Sequence, residues 1–222
     1  MNLVPVIAID GPTASGKGTI AEIVAKTLGF HYLDSGALYR LVALAAQKSN
    51  IPADYEEKLG NIAATLDARF EAGEISLGTE RVTDQIRAEA VGLAASRVAA
   101  LPVVRTALLQ RQRDYRMSPG LVADGRDMGS VVFPDAQLKV FLTATAEARA
   151  ERRYKQLKQK GIPANIDVLL SELRERDARD ASRSVAPLAQ TADARLLDST
   201  SLGIQEVAQL ILEWYRDVAT KR

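Results

Sequence analysis

The chain has 222 residues, is 47% hydrophobic and carries a formal net charge of +1, so it can bury one core with an insertion and shows no charge excess toward a polyanion. Cysteine is absent and His31 is the single histidine, which argues against disulfides, thiol catalysis, Ser-His-Asp chemistry and ordinary zinc sites. No apolar run approaches membrane-spanning length, and polar Asp10 follows the first apolar segment at once, so the expectation is a cytoplasmic protein with neither membrane nor nucleic-acid polymer as partner.

The first predicted element is an apolar strand over residues 4–9. It feeds Gly11-Pro12-Thr13-Ala14-Ser15-Gly16-Lys17-Gly18-Thr19, after which Ile20, Ile23, Val24, Thr27 and Leu28 recur at helical spacing up to a stop at Gly29. Strand, glycine-rich turn and helix in that order make a phosphate-binding loop. Glycines let backbone N–H groups close on an anion, the helix start adds its dipole, and Lys17 adds a full charge near the terminal phosphates. The ligand class is a nucleoside triphosphate, and the metal that suits it is a hard cation, Mg2+. One departure stands out: Gly18 replaces the usual Ser or Thr after the lysine, and Thr19 comes one place later.

Residues 30–33 read as a second strand in which His31 is structural. Asp34-Ser35-Gly36-Ala37-Leu38-Tyr39-Arg40 then opens a helix over about 36–48. Ligands of open α/β sheets lie beyond the carboxyl ends of strands, so Ser35 and Arg40 are candidates to grip a second phosphate. Asp34 or Ser35 suits a helix N-cap equally well, and taken alone the cap is favoured. Residues 66–86 carry Ile75, Leu77 and Val82 with turn signals at Gly73 and Gly78, which predicts a small antiparallel β insertion between 50 and 86. Helices over 84–99 and 102–117 follow, with Pro102 where a helix start tolerates it.

The third strand, 121–123, leads into Asp124-Gly125-Arg126-Asp127. An acid in that position is a candidate to hold Mg2+ or its waters, and Arg126 and Asp127 are candidates to face ligand; a plain charged turn is the alternative. A strand over 138–142 precedes a helix over 146–160 with Arg149, Arg152 and Arg153 at i, i+3 and i+4. A helix over 167–180 brings Arg176, Asp180 and the following Arg183 into spacings of four and three. These cations suit either a solvated, ion-paired face or the neutralisation of transferring phosphates, and charge alone leaves the two open. A strand over 195–197 and a helix over 203–221, packed on the core through Trp214, complete an α/β fold with a five-stranded parallel sheet flanked by helices.

GPTASGKGT at 11–19, LDSGALYR at 33–40, ASRVAALPVVR at 95–105, ADGRDMGSVVFPDA at 123–136, RERDARDASRSVAPL at 174–188 and LLDST at 196–200 together resemble the nucleoside monophosphate kinases, specifically the bacterial cytidylate kinases. The likeness covers almost the whole chain, and ADGRDMG and RERDxRDxxR are its most specific strings. It implies a single P-loop kinase domain over 1–222 with a monophosphate-binding insertion at about 36–100 and a short helical lid at about 149–166. It also implies transfer of the γ-phosphate of ATP to CMP or dCMP, with Mg2+ resting mainly on phosphates and water. Gly18 agrees with the Lys-Gly-Thr these kinases share.

By the same resemblance, residues 11–19 with Arg152 and Arg153 bind ATP, and Ser35, Arg40 and Arg126 hold the acceptor phosphate. Ser96, Arg105 and Asp127 read cytosine, while Arg176, Asp180 and Arg183 meet ribose and phosphates. Lys17, Arg126, Arg152 and Arg176 carry the transfer. No exposed apolar stripe calls for a protein partner, so the expectation is a monomer. Competing readings are another small phosphate-loop kinase and a nucleotide-gated switch; the absence of an Asn-Lys-x-Asp string and the presence of 34–40 count against the switch.

Overall fold

A computed structural model gives the structure, which describes residues 3–71 and 73–220. In chain order the elements begin β1 (Val6–Asp10), α1 (Lys17–Leu28), β2 (His31–Asp34), α2 (Ser35–Lys48) and α3 (Glu56–Ala64). Next come β3 (Ala68–Glu71), β4 (Glu74–Leu77), β5 (Glu80–Arg81), α4 (Glu89–Val98) and α5 (Pro102–Asp114). The chain ends with β6 (Leu121–Gly125), β7 (Leu138–Thr143), α6 (Ala146–Gln159), α7 (Ile166–Ser182), β8 (Arg195–Asp198) and α8 (Ile204–Ala219). Two compact units result, one from the chain up to Leu33 and from Tyr115 onward, the other Asp34–Asp114.

The first unit is built on a five-stranded parallel sheet in the order β2-β6-β1-β7-β8. Its central strand β1 is buried along its whole length, the pattern of a strand covered on both faces. It pairs with β6 from Val6↔Leu121 to Asp10↔Gly125 and with β7 from Ile7↔Leu138 to Asp10↔Phe141. Ile7, Ile9, Val122, Val140 and Leu142 join Ile20 and Val24 of α1 and Val207 and Ile211 of α8 in one core, each fully buried aliphatic contributing about 1.5–3 kcal/mol. Trp214 packs partly buried against that core, with the Arg195 guanidinium 5.2 Å over its ring. A smaller core of Ala150, Leu157, Leu169 and Leu173 joins α6 to α7.

The second unit departs from expectation in two places. The segment between 50 and 86 is not β alone: β3, β4 and β5 form an antiparallel sheet, with Phe70 opposite Ile75, but α3 precedes them. Glu56 and Glu57 favour its N-terminus electrostatically, yet only Leu59 and Ala63 are buried, too short an apolar pattern to read as a helix. The helix expected over 84–99 is broken into a single 3-10 turn, Gln85–Arg87, and α4, with Ala88 extended between them. The carbonyl of Ile86 accepts the Arg40 guanidinium at 2.7 Å, so it is engaged outside a helical ladder. Further on, α5 ends at Asp114, short of 117, and α8 ends at Ala219; Lys221, in the expected range, lies outside the described residues.

Where β1 ends, the loop passes against the end of β7. A Cβ on Gly11, which sits at φ +152°, would lie 1.9 Å from the Leu142 carbonyl oxygen. Gly11→Ala must therefore push the loop off β7. The expected result is a fall in urea unfolding stability of more than about 2 kcal/mol, and an unchanged midpoint would refute the close approach.

Candidate active site

Lys17 is the first residue of α1, and Gly16 before it takes φ 91° as the helix N-cap. The Lys17 side chain is buried and donates from Nζ to the Pro12 carbonyl at 2.8 Å. Burial, reinforced by the charge of Arg126, pushes its pKa from 10.5 down to about 7 against the opposing pull of Asp124, Asp10 and Asp180. An anion brought beside this amine would restore its charge. Ser15 Oγ is buried at 1% exposure with no hydrogen-bond partner among the described residues, an unsatisfied hydroxyl that would cost about 1–3 kcal/mol and that an acceptor such as a phosphate oxygen would relieve.

Two of the three α6 arginines hold this loop. Arg149 is buried, donating to the Thr13 carbonyl at 3.1 Å and the Ala144 carbonyl at 3.0 Å, and gripping Asp177 of α7 in a fork at 3.2 and 2.5 Å. Arg152 reaches the Ser15 carbonyl at 3.4 Å and Ser199 Oγ at 3.2 Å, and also donates to the Ser199 carbonyl beyond β8. Arg153, by contrast, lies along its own helix with Gln156 Oε1 at 3.3 Å. The solvated-face alternative therefore fails for Arg149 and Arg152, although both share a helix with exposed Lys155, which pairs with Glu151.

At the end of β6 the side chains interlock. Tyr32 on β2 donates its hydroxyl to Asp124 Oδ1 at 2.8 Å. Arg126 donates from Nε to Asp180 Oδ2 at 2.7 Å, and Arg183 Nη2 lies 3.9 Å from Asp127 Oδ1, with both side chains of the second pair at 5% exposure or less. Burial alone would raise Asp180, but the charges of Arg126, Arg176 and Arg183 prevail and hold its carboxyl below the ordinary carboxylate value. Removing one member of such a buried pair costs about 3–5 kcal/mol because the other charge is stranded. Asp10 underpins this segment. Its Oδ1 accepts the Met128 N–H and its Oδ2 the Gly129 N–H, both at 2.8 Å, in a tight turn closed by Val132 N–H to the Asp127 carbonyl at 3.1 Å.

The second unit contains the other candidates. Asp34 is the N-cap of α2, accepting from the Ala37 N–H at 3.0 Å, and Ser35 is buried as the first helical residue. The Arg40 guanidinium packs over Gly92 of α4, where a Cβ would stand 3.0 Å from Nη1. One turn further along α4 is buried Ser96. Arg105 of α5 is buried, donates to the Ala99 carbonyl at 3.1 Å and sits 5.6 Å over the Tyr39 ring. Sequence reasoning left out Asp10 and Tyr32, and it left Arg149 undecided between a solvated face and phosphate neutralisation. A carboxylate at the end of a fully apolar strand, immediately before the loop, was the available signal for Asp10.

A parallel sheet of this strand order with a phosphate loop after its first strand defines the fold of the P-loop kinases. A gluconokinase from Sinorhizobium meliloti 1021 shares that fold, with a TM-score of 0.51 at 15% identity, covering 100% of this chain and 97% of that one. The family model for cytidylate kinase matches residues 7–217, and the chain belongs to that family. A cytidylate kinase from Polynucleobacter necessarius subsp. necessarius is 58% identical over 215 residues, 97% of this chain and 100% of its own. One from Burkholderia multivorans is 59% identical over 212 residues, 96% and 93% respectively.

Burial raises Asp10 from 3.8 to about 6, with the charge of Asp127 adding and the two N–H donors opposing. The folded chain therefore holds this proton more tightly than the unfolded chain. That contribution is complete below 3.8 and is lost as pH rises through about 6. Asp10→Asn does not titrate. The stability of the parent relative to this variant is expected to fall by about 3 kcal/mol between about pH 4 and about pH 7 in urea unfolding, and pH-independent parallel curves would contradict it.

Proposed function

We propose that the chain transfers the γ-phosphate of ATP to CMP or dCMP, giving CDP or dCDP and ADP. The family match across residues 7–217 carries this reading, and the loop around Lys17 supports it. In the transfer an oxygen of the acceptor phosphate bonds to the γ-phosphorus, and the bond to the β-phosphate oxygen breaks to release ADP. Such a reaction needs alignment and charge neutralisation more than a dedicated base.

In this reading residues 11–19, Arg152 and Arg153 hold ATP, and Lys17, Arg126, Arg152 and Arg176 neutralise the charge that develops. Ser35, Arg40 and Arg126 hold the acceptor phosphate, and Arg176, Asp180 and Arg183 meet its ribose and phosphates. Ser96, Arg105 and Asp127 read the base. Cytosine presents an amino donor where uracil presents a carbonyl, so a carboxylate such as Asp127 selects the first and repels the second. Residues 36–100 form the monophosphate-binding insertion of one kinase domain, and residues 149–166 close as a lid that excludes water from the transfer.

The donors near the loop fit Mg2+. The Asp124 carboxylate is a hard oxygen ligand close enough to Lys17 to raise its pKa, and no group of three or more acidic or histidine side chains that could hold a metal occurs among the described residues. Asp124 would hold the cation or its waters, with the remaining coordination on ATP phosphates. A cation held there would supply charge neutralisation for the nucleotide's phosphates. No single helix among the described residues is long and apolar enough to cross a membrane, and the reading is of a cytoplasmic monomer acting on free nucleotides.

A coupled assay of ADP formation with CMP, dCMP, UMP and AMP tests the proposal. Turnover is expected to be strongest with CMP or dCMP, and none with any acceptor would overturn it. Asp127→Asn is expected to reduce the preference for CMP over UMP by about tenfold or more while nearly preserving KM for ATP. An unchanged preference would remove Asp127 from base recognition. Lys17, lowered to about 7, regains its proton when phosphates arrive. Calorimetry in buffers of different ionisation enthalpy should therefore show uptake of roughly one proton on ATP binding at about pH 8 and little at about pH 6. Equal uptake at both would contradict the burial of this amine.

A further inference from the structure

Gly18 poses a problem that the family likeness names without explaining physically. In the usual phosphate loop the residue after the lysine supplies a hydroxyl that works with the acid at the end of a neighbouring strand on the nucleotide's metal. Here residue 18 has no side chain, and Thr19 is exposed. The hydroxyl beside that acid comes instead from another strand. Tyr32 Oη donates to Asp124 Oδ1 at 2.8 Å, and the same oxygen stands 3.4 Å from the point that a Cβ on residue 18 would occupy. A Cβ there would stand in ordinary van der Waals contact with that hydroxyl, so the atoms of a larger side chain at 18 would lie beside Tyr32 Oη.

We infer that Tyr32 is a positioning residue of the nucleotide site: its hydroxyl fills the space left by Gly18 and fixes the Asp124 carboxylate. The inference rests on the phosphate-loop reading above and deepens it. The terminal torsion of an aspartate is soft, so a short donor from a rigid ring biases its orientation. The ring itself is anchored on β2, next to β6 in the sheet and packed against the core. Glycine at 18 and tyrosine at 32 are then one device in two pieces, and neither residue makes sense alone. Tyr32 acts through Asp124 and not on the transferring group.

Tyr32→Phe removes the hydroxyl and keeps the ring. Calorimetric titration of ATP, with and without Mg2+ and with no acceptor present, reads the effect without turnover. The variant is expected to lose about tenfold of the affinity that Mg2+ adds, with metal-free ATP affinity unchanged. An undiminished gain from Mg2+, or an equal loss with and without it, would overturn the inference. Gly18→Ser provides the second arm. Alone it places a hydroxyl within reach of Tyr32 Oη that competes with Asp124 and is expected to reduce the same gain, whereas in Tyr32→Phe it has no hydroxyl to divert and no further loss is expected. Additive losses would refute the shared space. A chain that phosphorylates no nucleoside monophosphate yet passes the titration leaves this inference standing while the acceptor assignment falls.

Discussion

The Asp10 carboxylate is the joint on which the phosphate site turns. It ends the central strand, stands immediately before the loop, and accepts two N–H groups from the segment that follows Arg126 and Asp127. The start of the loop and the segment after β6 are therefore fixed to one another through a side chain, in addition to the β1–β6 ladder. Around it the charges alternate: Lys17, then Asp124 and Asp180, then Arg126 and Arg183. Burial opposes every one of these charges. The balance closes for Asp180, which three arginines hold ionised, but not for Lys17, which burial and Arg126 drive toward neutrality. The loop lysine is thus the point where this network lacks negative charge, and a phosphate is the group that supplies it.

The arginines of α6 show how such a network ties nucleotide to fold. Arg149 and Arg152 donate to the carbonyls of Thr13 and Ser15, the residues on either side of Ala14, which itself holds φ 57°. A non-glycine residue in that region costs of order 1 kcal/mol, and the arginine contacts on both sides offset it. Arg149 is further locked by Asp177 of α7, so α7 reaches the loop through a guanidinium. If Arg152 serves ATP phosphates in the proposed manner, it exchanges carbonyl partners for phosphate oxygens. Movement of α6 and occupancy of the loop are then coupled through that exchange.

Much of this was legible because it is local. The apolar run before Gly11, the helical spacing after Lys17 and the turn signals at Gly73 and Gly78 each act within a few residues, and the corresponding strand, helix and reversals are in the structure. What was illegible is set at a distance. Arg149 and Arg153 are four apart on one helix, and it is Arg149 that meets Asp177 and the Thr13 and Ala144 carbonyls, while Arg153 meets Gln156. At the break before α4 the Ile86 carbonyl accepts Arg40, 46 positions away. Tyr32 reads as an ordinary strand aromatic until Asp124, 92 positions away, is placed beside it.

The same distinction separates what the fold determines from what it leaves open. At 15% identity a gluconokinase shares the architecture, and a fold does not by itself choose an acceptor. In the proposed function the choosing falls to groups outside that common frame: the side chains after β6, the last turns of α7, and the α2, α4 and α5 residues Arg40, Ser96 and Arg105. These are the places where charge and polarity are buried at a cost that packing alone does not justify, Ser96 at 5% exposure and Asp127 at 2% among them. A helix-packed unit built for stability would fill such positions with leucine or valine. Buried hydroxyl, carboxylate and guanidinium groups of fixed polarity are, in the proposed function, the physical basis for discriminating one base edge from another.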